Sequence, residues 1–125
     1  MVVLMRVAVL AVAVASTFAT DYYISKSGTD ANNGQSPSSA WLSLNNSYLR
    51  TFQAGDRFLL QRGDVWTDEP LLLSMMDGLS IDAYGNATFP RPRLVMGRNA
   101  NSARTFCVHP FNCNNLSIQN LHLAG

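Results

Sequence analysis

The sequence is poor in charged residues and in the residue types that build nucleic-acid or metal sites. Charged residues make up 14% of its 125 residues, and the net charge is +1. Lys26 is its single lysine, and it has two histidines. No stretch is basic enough to predict binding to nucleic-acid phosphates, and none is amphipathic in the manner of a helix on a membrane surface. We therefore expect neither kind of partner for the mature chain.

The one long apolar run lies at the N-terminus. Residues 7–20 carry no charge, and Arg6 precedes them. A positive end, an apolar stretch of about 7–15 residues and then small residues are the layout of a secretory signal. A transmembrane helix would need about 18 or more apolar residues. We predict that residues 1–20 are a signal peptide and that the protein is secreted, with an N-terminal anchor or a buried helix as alternatives.

Cysteine is also scarce. The two cysteines, Cys107 and Cys113, are separated by five residues. In an oxidising compartment this pair predicts a small disulfide loop, and two free thiols are the alternative. A metal site would need more ligands than the nearby His109 supplies. We therefore expect no metal and no cofactor in this segment.

Three Asn-x-Ser/Thr triplets are present, and they begin at Asn45, Asn86 and Asn115. Such triplets are acceptors for N-glycosylation in secreted eukaryotic proteins. They also arise by chance in sequence rich in Asn and Ser. Asn115 has a competing explanation as a turn residue, because Asn adopts left-handed backbone geometry readily.

Short runs of apolar residues with a period of two follow the signal. Phe58 and Leu60 share one face of such a run, and Leu79 and Ile81 share one face of another. Turn residues separate one run from the next. This period is that of a half-buried strand. Short strands between polar turns are typical of a solenoid with parallel coils, and a small β-sandwich fits the same pattern. The sequence thus predicts a mainly β fold.

One segment of the mature chain predicts a helix. It spans residues 41–52, and Ser38 or Ser39 would cap it. The Asn and Ser residues inside it are weak helix formers, so we expect a short, irregular helix. Such a helix would lie over the open end of a β-helix, where unpaired strand edges need a cover.

The order of five segments favours the solenoid over the sandwich. They are YYISKSGTDANNGQSPSSAW, FQAGDRFLLQRGDVW, IDAYG, RPRLVMG and NNLSIQNLHLAG, and together they cover nearly all of residues 22–125. This succession resembles the start of extracellular right-handed parallel β-helix proteins of the pectate-lyase-like superfamily. The resemblance implies a cap with a short helix over residues 21–54 and the first coils of a right-handed parallel β-helix over residues 55–125.

In the resembled families, function lies on later coils, which this sequence does not include. The resemblance therefore implies the N-terminal fragment of a secreted carbohydrate-active protein. The leading interpretation is a polysaccharide lyase that acts on uronate-containing glycans by β-elimination, with Ca²⁺ in the missing coils. A glycoside hydrolase with paired carboxylates belongs to the same group of families.

Two other interpretations remain open at this stage. One is a non-catalytic β-helix for adhesion or glycan binding, and the other is a truncated product without a function of its own. In each case we expect a monomer that is inactive and only marginally folded alone, because solenoid stability comes from contacts between neighbouring coils. Polysaccharide is the expected partner.

Several polar residues invite a catalytic role, but each has a structural explanation. Asp56, Asp64 and Asp82 carry the carboxylates of acid–base chemistry. The first two follow a glycine at a strand end, where turn formation accounts for them. Arg91 and Arg93 have the chemistry to bind a uronate carboxylate, and a solvated turn explains them equally well. No catalytic residue is assigned.

Other residues offer binding chemistry. Asp30 could contribute to a calcium site, although a calcium loop normally has several carboxylates, and we expect a turn instead. Trp41 and Trp66 could stack on sugars, but packing within a small core is the expectation. His109 and His122 have no evident partner in the sequence, and His122 is expected to point outward.

Overall fold

The computed structural model describes residues 19–97 and 107–124. Most of the predicted signal peptide lies outside these residues. The described part has a 3₁₀ turn (Pro37–Ser39) and one α-helix, α1 (Asn46–Leu49). Its strands are β1 (Asp21–Ile24), β2 (Arg57–Gln61), β3 (Val65–Thr67), β4 (Leu71–Ser74), β5 (Ser80–Tyr84), β6 (Arg93–Val95), β7 (Val108–Phe111), β8 (Ser117–Ile118) and β9 (His122–Ala124).

The strands form three sheets in which every pairing is parallel. Sheet A has the order β1-β2-β5-β8, sheet B the order β3-β6-β9, and sheet C pairs β4 with β7. Strands β2, β3 and β4 visit the three sheets in turn, and β5, β6 and β7 repeat the visit one layer further on. The chain therefore winds as the stacked coils of a parallel β-helix, which confirms the predicted fold. The β-sandwich alternative, which needs antiparallel sheets, is wrong.

The core lies between the three sheets and follows the predicted alternation. In sheet A, Phe58 pairs with Ile81 and Leu60 with Ala83, so apolar side chains stack in rows along the axis. Sheets B and C add buried residues to the same cluster. Its members from β2 onward are Phe58, Leu60, Trp66, Leu71, Leu73, Leu79, Ile81 and Leu94. One continuous apolar interior thus joins the successive coils.

Trp41 closes the N-terminal end of this core. It pairs in parallel with Ile24 and so continues sheet A beyond β1. Tyr22 stacks on its ring, with 5.1 Å between the ring centroids and 9° between the planes. Phe52 and Phe58 pack against the same ring. Trp41 is consequently 1% exposed, so its expected packing role is confirmed.

The predicted helix exists but is much shorter than residues 41–52. It contains only the four residues of α1, and its N-cap residue, Asn45, makes no side-chain capping bond. Ser36, rather than Ser38 or Ser39, provides a cap, but that cap serves the 3₁₀ turn. Leu42 and Ser43, which precede α1, donate their N–H groups to the Asp30 carboxylate.

The segment around α1 covers the strand edges of the first coil. Ser47 Oγ donates to the carbonyl of Leu72 in β4 at 2.5 Å. Trp66 Nε1 donates to the carbonyl of Leu42 at 3.2 Å. Residues 41–49 therefore lie beside β3 and β4, as β1 lies beside β2. The Ser47 bond gives a partner to one backbone carbonyl of the β4 edge.

The opposite end of the stack presents apolar side chains to solvent. Ile118 continues the inward row of Ile81, and Leu123 continues that of Leu94. They are 40% and 47% exposed. Within residues 19–97 and 107–124, no helix has the length and apolar character that a membrane crossing requires.

Gly34 is required by the position of Trp41. Its φ is +72°, a left-handed conformation that residues with a Cβ rarely adopt. A Cβ built there would lie 2.6 Å from the indole ring of Trp41. Both the conformation and the close approach therefore demand glycine. Gly63 provides a matched comparison, because its φ is +87° but its Cβ would meet Phe89 at an ordinary 3.6 Å.

We predict that Gly34→Ala destabilises the chain more than Gly63→Ala. Both changes incur the left-handed cost of about 1–2 kcal/mol. Gly34→Ala adds an overlap with Trp41, which should cost about a further 1–3 kcal/mol. Urea unfolding followed by tryptophan fluorescence measures both values in a protein that contains this segment and its downstream coils. Equal losses for the two variants would show that Trp41 moves aside without cost.

Candidate functional site

A groove lies on the outer face of sheet C, and we name it the sheet C groove. Its cavity volume is about 360 Å³. Strands β4 and β7, helix α1 and the residue that follows β6 contribute to its walls. Its lining includes Tyr48, Leu72, Ser74, Met96, His109 and Phe111.

Strand alternation places the floor of the sheet C groove. Leu71 and Leu73 of β4 turn into the core, which leaves Leu72 and Ser74 on the outer face. The register pairs Leu72 with His109 and Ser74 with Phe111, so these two β7 residues share that face. The groove floor is therefore built by two coils rather than by one segment of sequence.

The side walls come from more distant parts of the chain. The hydrogen bond from Ser47 to β4 fixes α1 against the sheet and brings Tyr48 to one side. Met96 lies on the groove, held by a backbone bond from its N–H to the carbonyl of Ala124. Tyr48 is 46% and Phe111 56% exposed. Two accessible aromatic rings beside an imidazole and a hydroxyl suit a ligand with both apolar faces and hydroxyl groups.

The histidines and arginines are distributed over the surface. His109 has a partner within the fold, unlike the expectation from sequence. His122 is exposed and pairs with Arg93 across sheet B, so it points outward as predicted. Arg91 and Arg93 are both exposed, and neither forms a salt bridge with any residue that the structure describes.

The outer face of sheet A is polar and internally bonded. Arg57 donates two hydrogen bonds to the Asp21 carboxylate, at 2.8 and 2.7 Å. These bonds, together with the positive charge, lower the pKa of Asp21. Tyr23 and Tyr84 meet edge to face with 5.0 Å between their centroids, and burial raises the pKa of the Tyr84 phenol. These groups stabilise the pairing between layers.

The candidate carboxylates Asp56 and Asp64 hold turns. Asp56 is 2% exposed and accepts the N–H groups of Thr20 and Gln53, both at 2.8 Å. Asp64 accepts the N–H of Lys26 at 2.8 Å and thereby ties β1 to the end of β2. Their hydrogen bonds explain both residues, so neither needs a catalytic role.

Asp82 and Asp77 join one coil to the next. Asp82 accepts from the amide of Asn120 at 2.8 Å, and Asp77 accepts from the amide of Asn115 at 2.9 Å. Each pair is 38 residues apart in sequence. Both asparagines have positive φ, +56° and +51°. They therefore turn corners and link layers at once, which is the structural role expected of Asn115.

The predicted disulfide is not formed. Cys107 and Cys113 are free thiols. They flank β7, a strand of four residues that spans about 13 Å when extended. The Cys107 thiol lies 3.4 Å from the carbonyl oxygens of Leu94 and Ala124, whereas that of Cys113 lies near Phe111. A strand between the two residues, rather than a loop, holds them apart.

Comparison with solved structures gives the clearest relationship. Two crystal structures of the GH136 lacto-N-biosidase from Eubacterium ramulus, native and selenomethionine, match with TM-scores of 0.71 and 0.70. Identity is 26%, and each match covers 85% of this chain. This chain resembles part of a glycoside hydrolase. It spans about a fifth (21%) of that enzyme's length. No protein-family model and no curated protein matches the sequence.

The described residues contain no cluster of three or more His, Cys, Asp or Glu that could hold a metal ion. Asp30, considered for calcium, has its oxygens occupied by protein donors. Oδ1 accepts from the N–H groups of Leu42 and Ser43 and from the amide of Asn46, and Oδ2 accepts from the Ser43 hydroxyl at 2.6 Å. Burial alone would raise the pKa of Asp30, but these hydrogen bonds outweigh burial and lower it.

We predict that Asp30 stabilises the cap in a pH-dependent way. Because its pKa is lower in the folded state, the contribution is complete above the ordinary value of 3.8 and is lost as the pH falls below it. Asp30→Asn should cost about 1 kcal/mol at pH 7, a value at the low end because the group is exposed. The cost should shrink towards zero in acid.

Urea midpoints measured from neutral to acidic pH test this prediction. Ser43→Ala is the comparison, because it keeps the charge of Asp30 and removes the hydroxyl that donates to Oδ2. In both proteins the loss begins near the ordinary pKa of 3.8, but the variant lacks one hydrogen bond that lowers the pKa of Asp30, so its loss should be smaller and should be complete at a higher pH. A cost of Asp30→Asn that does not change with pH would contradict the electrostatic explanation.

Proposed function

We propose that this chain is the N-terminal part of a secreted carbohydrate-active β-helix protein, and specifically of a glycoside hydrolase. The similarity to the lacto-N-biosidase, which extends over 85% of the chain at 26% identity, is the observation that supports this proposal. The alternative, a polysaccharide lyase, depends on N-terminal motifs that many β-helix families share. The similarity to a solved hydrolase over 85% of the chain therefore favours a hydrolase over a lyase.

The catalytic pair is proposed to lie on other coils. Glycoside hydrolysis generally uses two carboxyl groups about 5–9.5 Å apart, placed on either side of the bond that breaks. Asp56, Asp64 and Asp82 instead accept bonds from backbone N–H groups or from Asn120. Both oxygens of Asp56 and one oxygen each of Asp64 and Asp82 are bonded in this way, which gives each carboxylate a structural role. The proposed role of this segment is to cap the stack and to contact glycan.

The sheet C groove is the proposed glycan contact. A pyranose has an apolar face of C–H groups and an equatorial rim of hydroxyls. Phe111 and Tyr48 offer exposed aromatic surface for the apolar face, and Ser74 and the Tyr48 phenol offer hydrogen-bonding groups for the rim. The volume of about 360 Å³ lies within the range of small-ligand sites.

We predict that a protein containing this segment and its downstream coils hydrolyses glycosides. Lacto-N-biosides, polygalacturonate and alginate form the substrate panel. New reducing ends should accumulate without the absorbance of unsaturated products, and the 125-residue chain alone should give neither signal. Unsaturated products would contradict the hydrolase proposal and would favour a polysaccharide lyase. Glycan binding without any turnover would favour the adhesion alternative.

We predict that Phe111→Ala weakens glycan binding about 2- to 12-fold, which corresponds to the 0.5–1.5 kcal/mol typical of an aromatic contact. Phe89→Ala is the matched control, because Phe89 is also 56% exposed but lies outside the groove. Titration of the oligosaccharides of the same panel, followed by the chemical shifts of the groove residues, measures affinity. Equal effects of the two changes would remove the groove from the proposal while leaving the hydrolase assignment intact.

A further inference from the structure

We propose that Asn86 is a site of N-glycosylation, and that it is the one of the three Asn-x-Ser/Thr triplets whose folded surroundings accept a glycan. The proposal concerns modification of the protein rather than its activity. It rests on the expected secretion of the chain and does not depend on the proposed function. The three triplets share a motif, so the structure around each one has to distinguish them.

The triplet at Asn86 forms a compact local turn. Asn86 Oδ1 accepts two hydrogen bonds from Thr88, one from its backbone N–H at 3.0 Å and one from its hydroxyl at 2.9 Å. Both bonds join residues two apart in sequence, so the turn can form before the rest of the chain has folded. Oδ1 is engaged by these bonds, whereas Nδ2 donates to no residue that the structure describes. The nitrogen that would carry the sugar is therefore unencumbered.

The surroundings of Asn86 leave room for a large substituent. Every residue from Gly85 to Arg91 is exposed, and the segment forms the corner between β5 and β6. Phe89, 56% exposed, lies three residues from the attachment point. A glycan on Asn86 would extend into solvent and would shield this ring. It would not interrupt any pairing between coils, because residues 86–91 belong to no strand.

Asn115 has the opposite situation. Its amide nitrogen donates to Asp77 Oδ1 at 2.9 Å, and this bond links two coils. Its backbone φ of +51° holds the side chain at the corner where the layers meet. Attachment of a sugar to that nitrogen would replace one of its hydrogens and place the sugar against the neighbouring coil. Glycosylation at Asn115 would leave a single N–H for the bond to Asp77, so the position of this side chain between two coils disfavours it.

At Asn45 the hydroxyl of the triplet is unavailable after folding. Asn45 is exposed, but Ser47 is fully buried, and its hydroxyl donates to the carbonyl of Leu72. This bond fixes α1 against β4. The hydroxyl of Thr88, in contrast, lies on the surface and bonds to the acceptor asparagine itself. Only the triplet at Asn86 keeps its complete motif accessible in the folded protein.

The modification is a group transfer from a lipid-linked oligosaccharide diphosphate, catalysed by the oligosaccharyltransferase of a eukaryotic secretory pathway. A bond forms between Asn86 Nδ2 and the anomeric carbon of the first sugar. The bond from that carbon to the phosphate oxygen breaks, and the lipid diphosphate leaves with its electron pair. The amide nitrogen gives up one proton to a base of the enzyme. No oxidation or reduction takes place.

Expression in a eukaryotic secretory host tests the proposal. A second version with a host signal ahead of Thr20 ensures entry into the pathway. Secreted protein is treated with peptide-N-glycosidase in heavy-oxygen water, and peptide mass spectrometry identifies each asparagine that has become a labelled aspartate. We expect label at Asn86 and at most a minor fraction at Asn45 and Asn115.

Matched variants separate the triplet from the fold. The label at position 86 should disappear in Asn86→Gln and in Thr88→Ala. It should remain in Thr88→Ser, which keeps the hydroxyl. Asn115→Gln should leave glycosylation unchanged. Secreted protein with Asn86 unmodified would overturn the proposal. Occupancy of Asn45 or Asn115 equal to that of Asn86 would also overturn it, because the folded surroundings would then not discriminate.

Discussion

The need to give partners to the first strand edges is the constraint on which the rest of this structure depends. A stack of parallel strands ends in a row of unpaired backbone groups above an open apolar core. Trp41 meets both requirements, since its backbone pairs with Ile24 and its ring covers the interior. Gly34 has no Cβ and therefore leaves room for that ring. Residues 41–49, with α1, lie beside β3 and β4, where Ser47 bonds to the carbonyl of Leu72 and Leu42 accepts from the Trp66 ring.

Polar contacts between layers complement this apolar closure. Asp77 with Asn115 and Asp82 with Asn120 repeat one device at two corners of the coil. The positive φ of both asparagines lets the chain turn while the amide reaches the carboxylate in the layer before it. Carboxylates are thus used to define the register of the stack. This use explains why a segment with several exposed aspartates is proposed to carry no catalytic pair.

The function proposed for the chain follows from a division between support and chemistry. Most apolar residues of the strands form the core, and Asp77, Asp82, Asn115 and Asn120 form the contacts at the corners. The outer face of sheet C presents aromatic surface with a few polar groups. This surface is the proposed glycan contact, and the carboxylates that would cleave a glycosidic bond are proposed to lie on other coils. The similarity to a lacto-N-biosidase, over a fifth (21%) of that enzyme's length, agrees with a segment that contributes architecture and contact.

Local pattern in the sequence determined the mainly β fold, the inward rows that contain Phe58 and Leu60, and the short helix, because each depends on neighbours a few residues away. The order of motifs indicated the parallel coils. The tertiary structure alone decided the extent of α1, the free thiols and the sheet C groove. Asp30 bonds to Leu42, just before α1, from 12 residues away, and Leu72 meets His109 through a pairing of separate coils. Contacts set by the register of stacked coils leave no periodic trace in one strand, so no local pattern could predict them.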